Sequence, residues 1–260
     1  KKLMANSTED VFYIEDDPYW KVSRNIDETS NIVTGWELTD KAGKKYIYGN
    51  PGGNYNENKA IRYTVYCKTT GYVGPNLSDC AELYPYTWDL ACKKDLFGNT
   101  VQFSYEQYSE PFNSTINYTR ASYISKITNP QGDNISFHYR TKDDPREYYG
   151  KHSKYKNVNK YLDIYEKEFL DYIEVKIQNN THRKFLFGYE KVMLHDKEAG
   201  VSSPKVTSCF SKRLLTCIKE CNKDKKILNT TNFKYNDDAK QIEKDENYHF
   251  GALQEITLPR

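Results

Sequence analysis

The side chains of this 260-residue chain that could carry chemistry are five histidines, six cysteines, seven Asn-x-Ser/Thr sequons and a few adjacent acids. His138, His152, His182, His195 and His249 share no ligand spacing. A zinc site would need a CxxC or His-x-x-x-His pair to converge on one ion, and neither occurs. His138 lies between Phe137 and Tyr139 in an alternating run, so it should face away from them and line a sheet or its surface. The acid pairs Asp143-Asp144 and Asp237-Asp238 sit in turn-like sequence, where aspartate is common without glycosidase chemistry. Glu15-Asp16-Asp17 precedes Pro18 without further acids at the spacing of a calcium loop, which leaves a solvated turn. No G-x-S-x-G elbow, Cys-His signature or phosphate-cradling glycine loop is present. The expectation is a chain without catalytic residues, cofactor or metal.

Cys67, Cys80, Cys92, Cys209, Cys217 and Cys221 are an even number in two groups of three, compatible with three disulfides. A bond from Cys80 to Cys67 or Cys92 would pin the loop-like tract from Lys68 to Tyr86. Cys217 and Cys221 lie in a run with strand character, where four residues span roughly 13 Å, too far for a mutual bond. The sequons fall at Asn6, Asn76, Asn113, Asn117, Asn134, Asn179 and Asn229. Sequons and evenly counted cysteines together point to a secreted or cell-surface glycoprotein of a eukaryote.

The elements that would hold these residues are short strands. Lys93-Lys94-Asp95-Leu96-Phe97-Gly98-Asn99 leads into Val101, Phe103 and Tyr105, which alternate with polar residues. This reads as a hairpin in which Gly98 and Asn99 both tolerate positive φ. The pattern recurs. Gly35–Leu38 turns through Asp40–Gly43 to Tyr46–Tyr48, and Tyr123–Ile127 turns through Asn129–Asp133 to Ile135–Tyr139. Phe169–Val175 turns through Asn179-Asn180 to Phe185–Tyr189, and Leu214–Ile218 turns through Asn222–Asp224 to Asn232–Tyr235. Leu253–Leu258 begins one more unit. A single hairpin exposes its apolar face, so such units become stable by lying side by side. The longest insertion, about Arg140 to Glu168, holds either a covering loop or a short helix over Val158–Phe169.

Composition agrees with strands. Aromatic content is 15%, with 24 tyrosines against 2 methionines, a bias suited to pleated surfaces. A net charge of +2 argues against a dedicated nucleic-acid or membrane-surface binder. No stretch approaches the roughly 20 apolar residues of a membrane span, and no signal peptide follows Lys1-Lys2.

The order of these motifs resembles the RHS/YD-repeat proteins, and more closely the middle region of the B components of insecticidal Tc toxins. The matching residues are Trp88 with Leu90, Asp95, Phe97-Gly98-Asn99 and Phe103-Ser104-Tyr105, then Tyr123–Ile127 and Phe137-His138-Tyr139. Leu214–Ile218 with Phe233-Lys234-Tyr235 resembles a later segment of that region. The wealth of lysine, asparagine, cysteine and sequons departs from bacterial toxins and is similar to the salivary gland surface proteins of mosquitoes. The resemblance implies a segment of a much larger shell-forming chain, residues 1–29 being an entry segment and 30–260 the hairpin-repeat region. In the toxins such repeats coil into a hollow β-shell around a cargo. Their self-cleaving aspartate lies in a core motif absent here, so no catalytic residue carries over.

The expected fold is therefore all-β: consecutive antiparallel hairpins of an RHS-like sheet or shell with disulfide-pinned loops. Its partners would be other segments of the same polypeptide, with no nucleic acid and no direct membrane insertion. The competing function is recognition, with Trp20, Trp36, Trp88 and tyrosines as stacking platforms for cell-surface glycans or a receptor.

Overall fold

The computed structural model describes residues 3–5, 11–14, 17–53, 56–67, 81–112, 115–143, 167–195, 209–235 and 253–259. Among them there is no α-helix, and strands dominate. In chain order these are β1 (Leu3–Ala5), β2 (Val11–Ile14), β3 (Asp17–Asp27), β4 (Ile32–Thr39), β5 (Lys45–Gly49), β6 (Ile61–Cys67), β7 (Ala81–Trp88) and β8 (Leu90–Lys94). They continue as β9 (Thr100–Pro111), β10 (Asn117–Thr128), β11 (Asn134–Thr141), β12 (Glu168–Ile177), β13 (Asn180–His195), β14 (Cys209–Asn222), β15 (Ile227–Tyr235) and β16 (Leu253–Thr257).

The chain divides into two compact units between Ile135 and Ser136, inside β11. In the first, β1, β2, β3, β4, β5, β8, β9 and β10 pair antiparallel in that order. In the second, β12 to β16 pair antiparallel in chain order. The all-β architecture of consecutive hairpins is thus present. Residue 29, the expected domain boundary, falls in the turn between the paired strands β3 and β4.

Four of the hairpin turns share one geometry, which explains why their sequences look alike. The first residue is Asp40, Asp95, Asn129 or Asn222, and its amide donates to the carbonyl of the fifth. The amide of the fourth donates back to the carbonyl of the first. That fourth residue is left-handed: Gly43 at φ 73°, Gly98 at 84°, Gly132 at 87° and Lys225 at 63°. This is a type I turn followed by a left-handed residue, the usual three-residue hairpin loop. The side chain of the first residue closes the loop by accepting backbone amides. Asp95 Oδ1 takes those of Phe97 and Asn99, both at 2.9 Å, and its Oδ2 takes Asn99 Nδ2 at 2.7 Å. Asn222 Oδ1 does the same for Asp224 and Lys226. The expectation of positive φ at both Gly98 and Asn99 is corrected: only Gly98 adopts it, and Asn99 already returns into the ladder. The two-residue turn with both centres left-handed occurs instead at Gln178-Asn179, with φ of 49° and 66°.

Two further expectations change. The tract from Lys68 to Tyr86 is not all loop, since β7 begins at Ala81 and pairs with β6 in a separate two-stranded sheet. Chain neighbours β5 and β6 therefore part, and β5 pairs with β8 across the excursion. Most of the Val158–Phe169 segment lies outside the described residues; its end, Glu168-Phe169, is extended in β12.

The buried apolar residues include Val22, Ile47, Ala60, Ile61, Val65, Ala91, Cys92, Tyr118, Ala121 and Tyr123 in the first unit, and Leu214 and Cys221 in the second. Pro85, fully buried, sits in β7 beside a register shift against β6, where a strand tolerates the missing amide donor.

Candidate functional site

A group of interacting polar and aromatic side chains forms where the β6–β7 hairpin meets the main sheet of the first unit. Arg62 on β6 makes two parallel hydrogen bonds to Asp89, Nε to Oδ2 and Nη2 to Oδ1, both 2.8 Å. Asp89 lies between β7 and β8, and its backbone binds the chain at two further points. Its amide donates to Ala60 O at 2.8 Å, and its carbonyl accepts Gly49 N at 2.9 Å. A planar guanidinium matched to a carboxylate is the most directional ion pair available to a protein. Asp89 in turn holds Arg62 above its ordinary pKa.

Tyrosines surround this pair. Tyr105 donates its hydroxyl to Leu90 O at 2.9 Å, and burial, with the Asp89 carboxylate adding to it, pushes the phenol up to about 12. Burial also raises Tyr48, Tyr63 and Tyr86. Further hydrogen bonds clasp the excursion. Gln107 Nε2 donates to Lys59 O (2.6 Å) and Ile61 O (2.8 Å), Tyr63 N donates to Thr119 Oγ1 (3.0 Å), and Asn58 Nδ2 donates to Ala91 O (3.0 Å). Trp88 packs edge-on against Trp36 at 5.9 Å and donates Nε1 to Val33 O at 3.1 Å. All these contacts tie backbone to backbone through side chains. The cluster is a clasp that fastens the excursion to the main sheet.

The second unit repeats one of its elements. Tyr189, which ends Phe187-Gly188-Tyr189, donates its hydroxyl to Leu170 O at 2.7 Å. It stands in the same relation to its hairpin as Tyr105 to Leu90. This hydrogen bond is the physical content of the recurring aromatic-x-Tyr ending in these two hairpins. Gly188 is demanded by its neighbour, since a Cβ there would lie 2.5 Å from Cys217 Sγ. Around Tyr189, Phe169 meets its ring edge-on at 5.1 Å, and the Arg213 guanidinium lies 4.1 Å over Phe169. Arg213 and Lys191 both reach Asp143, at 3.0 and 3.3 Å. That accounts for one acid of the Asp143-Asp144 pair; Asp144, Asp237 and Asp238 lie outside the described residues.

His138 is half-buried and stacked on Tyr172, with centroids 4.1 Å apart and planes at 16°. Lys184 Nζ sits 3.5 Å from the centre of the Tyr172 ring. His138 Nε2 is buried without a hydrogen-bond partner. His182 is exposed on β13, the side chain of His195 is outside the described part, and so are His152 and His249. Among the described residues no three His, Cys, Asp or Glu side chains converge as metal ligands.

Among the described side chains no disulfide forms. Cys217 and Cys221 are free thiols on β14, Cys221 2% exposed. A regular strand holds them apart, and neither is bonded to another described cysteine. Cys92 is fully buried beneath the β5–β8 pairing, on a strand rather than beside a loop it would pin. Cys80 and the side chains of Cys67 and Cys209 lie outside the described part. Among the sequons, Asn117, Asn179 and Asn229 are exposed. Asn229 donates Nδ2 to Glu220 Oε2 at 2.9 Å. Asn134 is only 9% exposed and its Nδ2 lies 3.5 Å from Gly132 O, so a glycan there would have to displace the turn. Asn6, Asn76 and Asn113 lie outside the described residues.

Sequence reasoning missed the Arg62–Asp89 pair because 27 positions separate partners that neither hairpin pattern links. A lone aspartate amid the apolar run Trp88-Asp89-Leu90 was the available signal, since a carboxylate there requires a cation.

No family model matches this chain, and no curated protein does. Among solved structures it is similar to the N-terminal domain of effector protein SpvB from Salmonella typhimurium strain LT2, at 9% identity and a TM-score of 0.33. That likeness covers 87% of this chain and 63% of the other. It is also similar to a Photorhabdus luminescens Tc holotoxin pore, at 8% identity and a TM-score of 0.38, over 90% of this chain and 12% of that one. The chain thus spans less than two thirds of either structure's own chain.

Proposed function

We propose that this chain is a non-enzymatic structural segment of a large secreted RHS-like shell glycoprotein, of the kind found among salivary gland surface proteins. The observation that carries this reading is the repetition of one hairpin device, an Asx-closed turn with a left-handed fourth residue, along successively paired strands. Within each unit a tyrosine hydroxyl fastens one hairpin to a carbonyl of the preceding strand. Repeats that carry only the means of pairing with the next repeat suit an extended wall. Two of the tryptophans support the same reading over a glycan platform. Trp36 and Trp88 are engaged with each other, and Trp88 spends its indole donor on Val33 O.

The test is to express the chain alone and joined to its natural flanking sequence. A wall segment gains thermal stability when joined, because added hairpins cover its outer strands. Equal melting temperatures together with retention on a glycan array would replace the wall with an adhesion module.

A further inference from the structure

The turn Asp95–Asn99 carries an apolar apex that its fold does not need. Phe97 is 90% exposed and Leu96 71% exposed. The sibling turns of the same geometry place Lys41-Ala42, Pro130-Gln131 and Lys223-Asp224 at these two positions, so loop closure makes no demand for Leu-Phe. The apex is also held rigidly, because Asp95 accepts the amides of Phe97 and Asn99. Leu96 leans on the adjoining turn, where a Cβ on Gly43 would come within 2.4 Å of Leu96 Cδ2. That contact sets the apex beside Lys41 and Lys44, both exposed.

Charge gathers immediately behind. Lys45 and Lys94 face each other directly across the β5–β8 pairing, followed by Lys93 opposite Tyr46. The five lysines Lys41, Lys44, Lys45, Lys93 and Lys94 outnumber the three acids at this end, Glu37, Asp40 and Asp95. Asp40 accepts the amides of Ala42 and Lys44, Asp95 closes its own turn, and Glu37 pairs with Lys45 at 2.8 Å.

We infer that this hairpin end docks on an anionic lipid surface, Phe97 and Leu96 entering the headgroup–acyl boundary while the lysines meet lipid phosphates and carboxylates. A convex apolar tip ringed by flexible cations fits a fluid bilayer, which needs no carved complement. The chain-wide net charge of +2 conceals the cluster because it averages over acids elsewhere. This inference stands apart from the wall reading.

Co-sedimentation of the full chain with vesicles tests it. Binding is expected to phosphatidylcholine vesicles containing about a third phosphatidylserine, weakening with salt, and not to phosphatidylcholine alone. Phe97→Ser should weaken it by about tenfold or more, and Lys41→Glu with Lys44→Glu should flatten its salt dependence. Because Phe97 is exposed, the melting temperature should not move, which separates lost docking from lost folding. Phe97→Trp should show blue-shifted emission with the anionic vesicles. Equal sedimentation of wild type and Phe97→Ser, or no binding by wild type, overturns the inference. So does self-association in solution that Phe97→Ser abolishes while vesicles remain unbound, since the tip would then seat a second copy.

Discussion

Asp95 shows how much one side chain contributes to a hairpin. Its hydrogen bonds from Asn99, side chain first, hold its carboxyl below the ordinary aspartate range. A carboxylate whose folded pKa is depressed stabilises the fold above its unfolded pKa, and that contribution disappears as pH falls through the folded pKa. Asp95→Ala should therefore lower the melting temperature at neutral pH, and the difference should close in strongly acidic buffer. Asp95→Asn should keep the turn, because Asn129 and Asn222 hold the same position in sibling turns, and should remove this share of the pH dependence. Thermal scans across acid pH read both. Tyr105 works in the opposite direction. Its phenol is pushed up to about 12, so stability is complete below the unfolded value near 10 and declines as pH rises through the folded one. Tyr105→Phe leaves Leu90 O without its donor and should cost about 1–2 kcal/mol at neutral pH. The variant should also lose the tyrosinate absorbance that appears at about pH 12.

At the scale of elements, the β6–β7 hairpin is the part that pattern reading placed least well. Sequence periodicity gives no reason for β5 to pair with β8, because that choice depends on Asp89 meeting Arg62 and on Trp88 meeting Trp36. The ion pair is partly shielded, with Arg62 at 30% and Asp89 at 13% side-chain exposure. A double-mutant cycle with Arg62→Met and Asp89→Asn should give a coupling of about 1–2 kcal/mol, between the exposed and the buried extremes. Urea unfolding of the four proteins measures it, and a coupling near zero would show that apolar packing alone holds the excursion. By contrast, the turns at Asp40, Asp95, Asn129 and Asn222 were legible in advance, because each is decided within five residues.

For the whole molecule, burial is uneven. Among the described residues, all but two of the deeply buried apolar ones lie in the first unit, the exceptions being Leu214 and Cys221. Exposed large apolar residues occur in both units, among them Leu96 and Phe97 in the first and Ile227, Leu228, Leu253 and Ile256 on the last two strands of the second. Backbone hydrogen bonds are protected from exchange in proportion to the cooperative core beneath them. Amide hydrogen exchange should thus be slowest in β5, β8, β9 and β10 and faster in β15 and β16. Uniform protection across both units would contradict this distribution of stability.

Much of the architecture is written in short stretches of the sequence. Alternation at period two makes strands, and Asx-x-x-Gly supplies the left-handed residue and the side-chain acceptor a hairpin needs, so the all-β series follows from local chemistry. Residues joined only by folding were settled by the tertiary structure. They include the Arg62–Asp89 clasp, the tyrosine hydroxyls on Leu90 and Leu170, the burial of Asn134, and the free thiols of Cys217 and Cys221. The apex at Leu96-Phe97 belongs to both levels. Its turn is local, but its exposure and its lysine neighbours arise from which strand lies beside which.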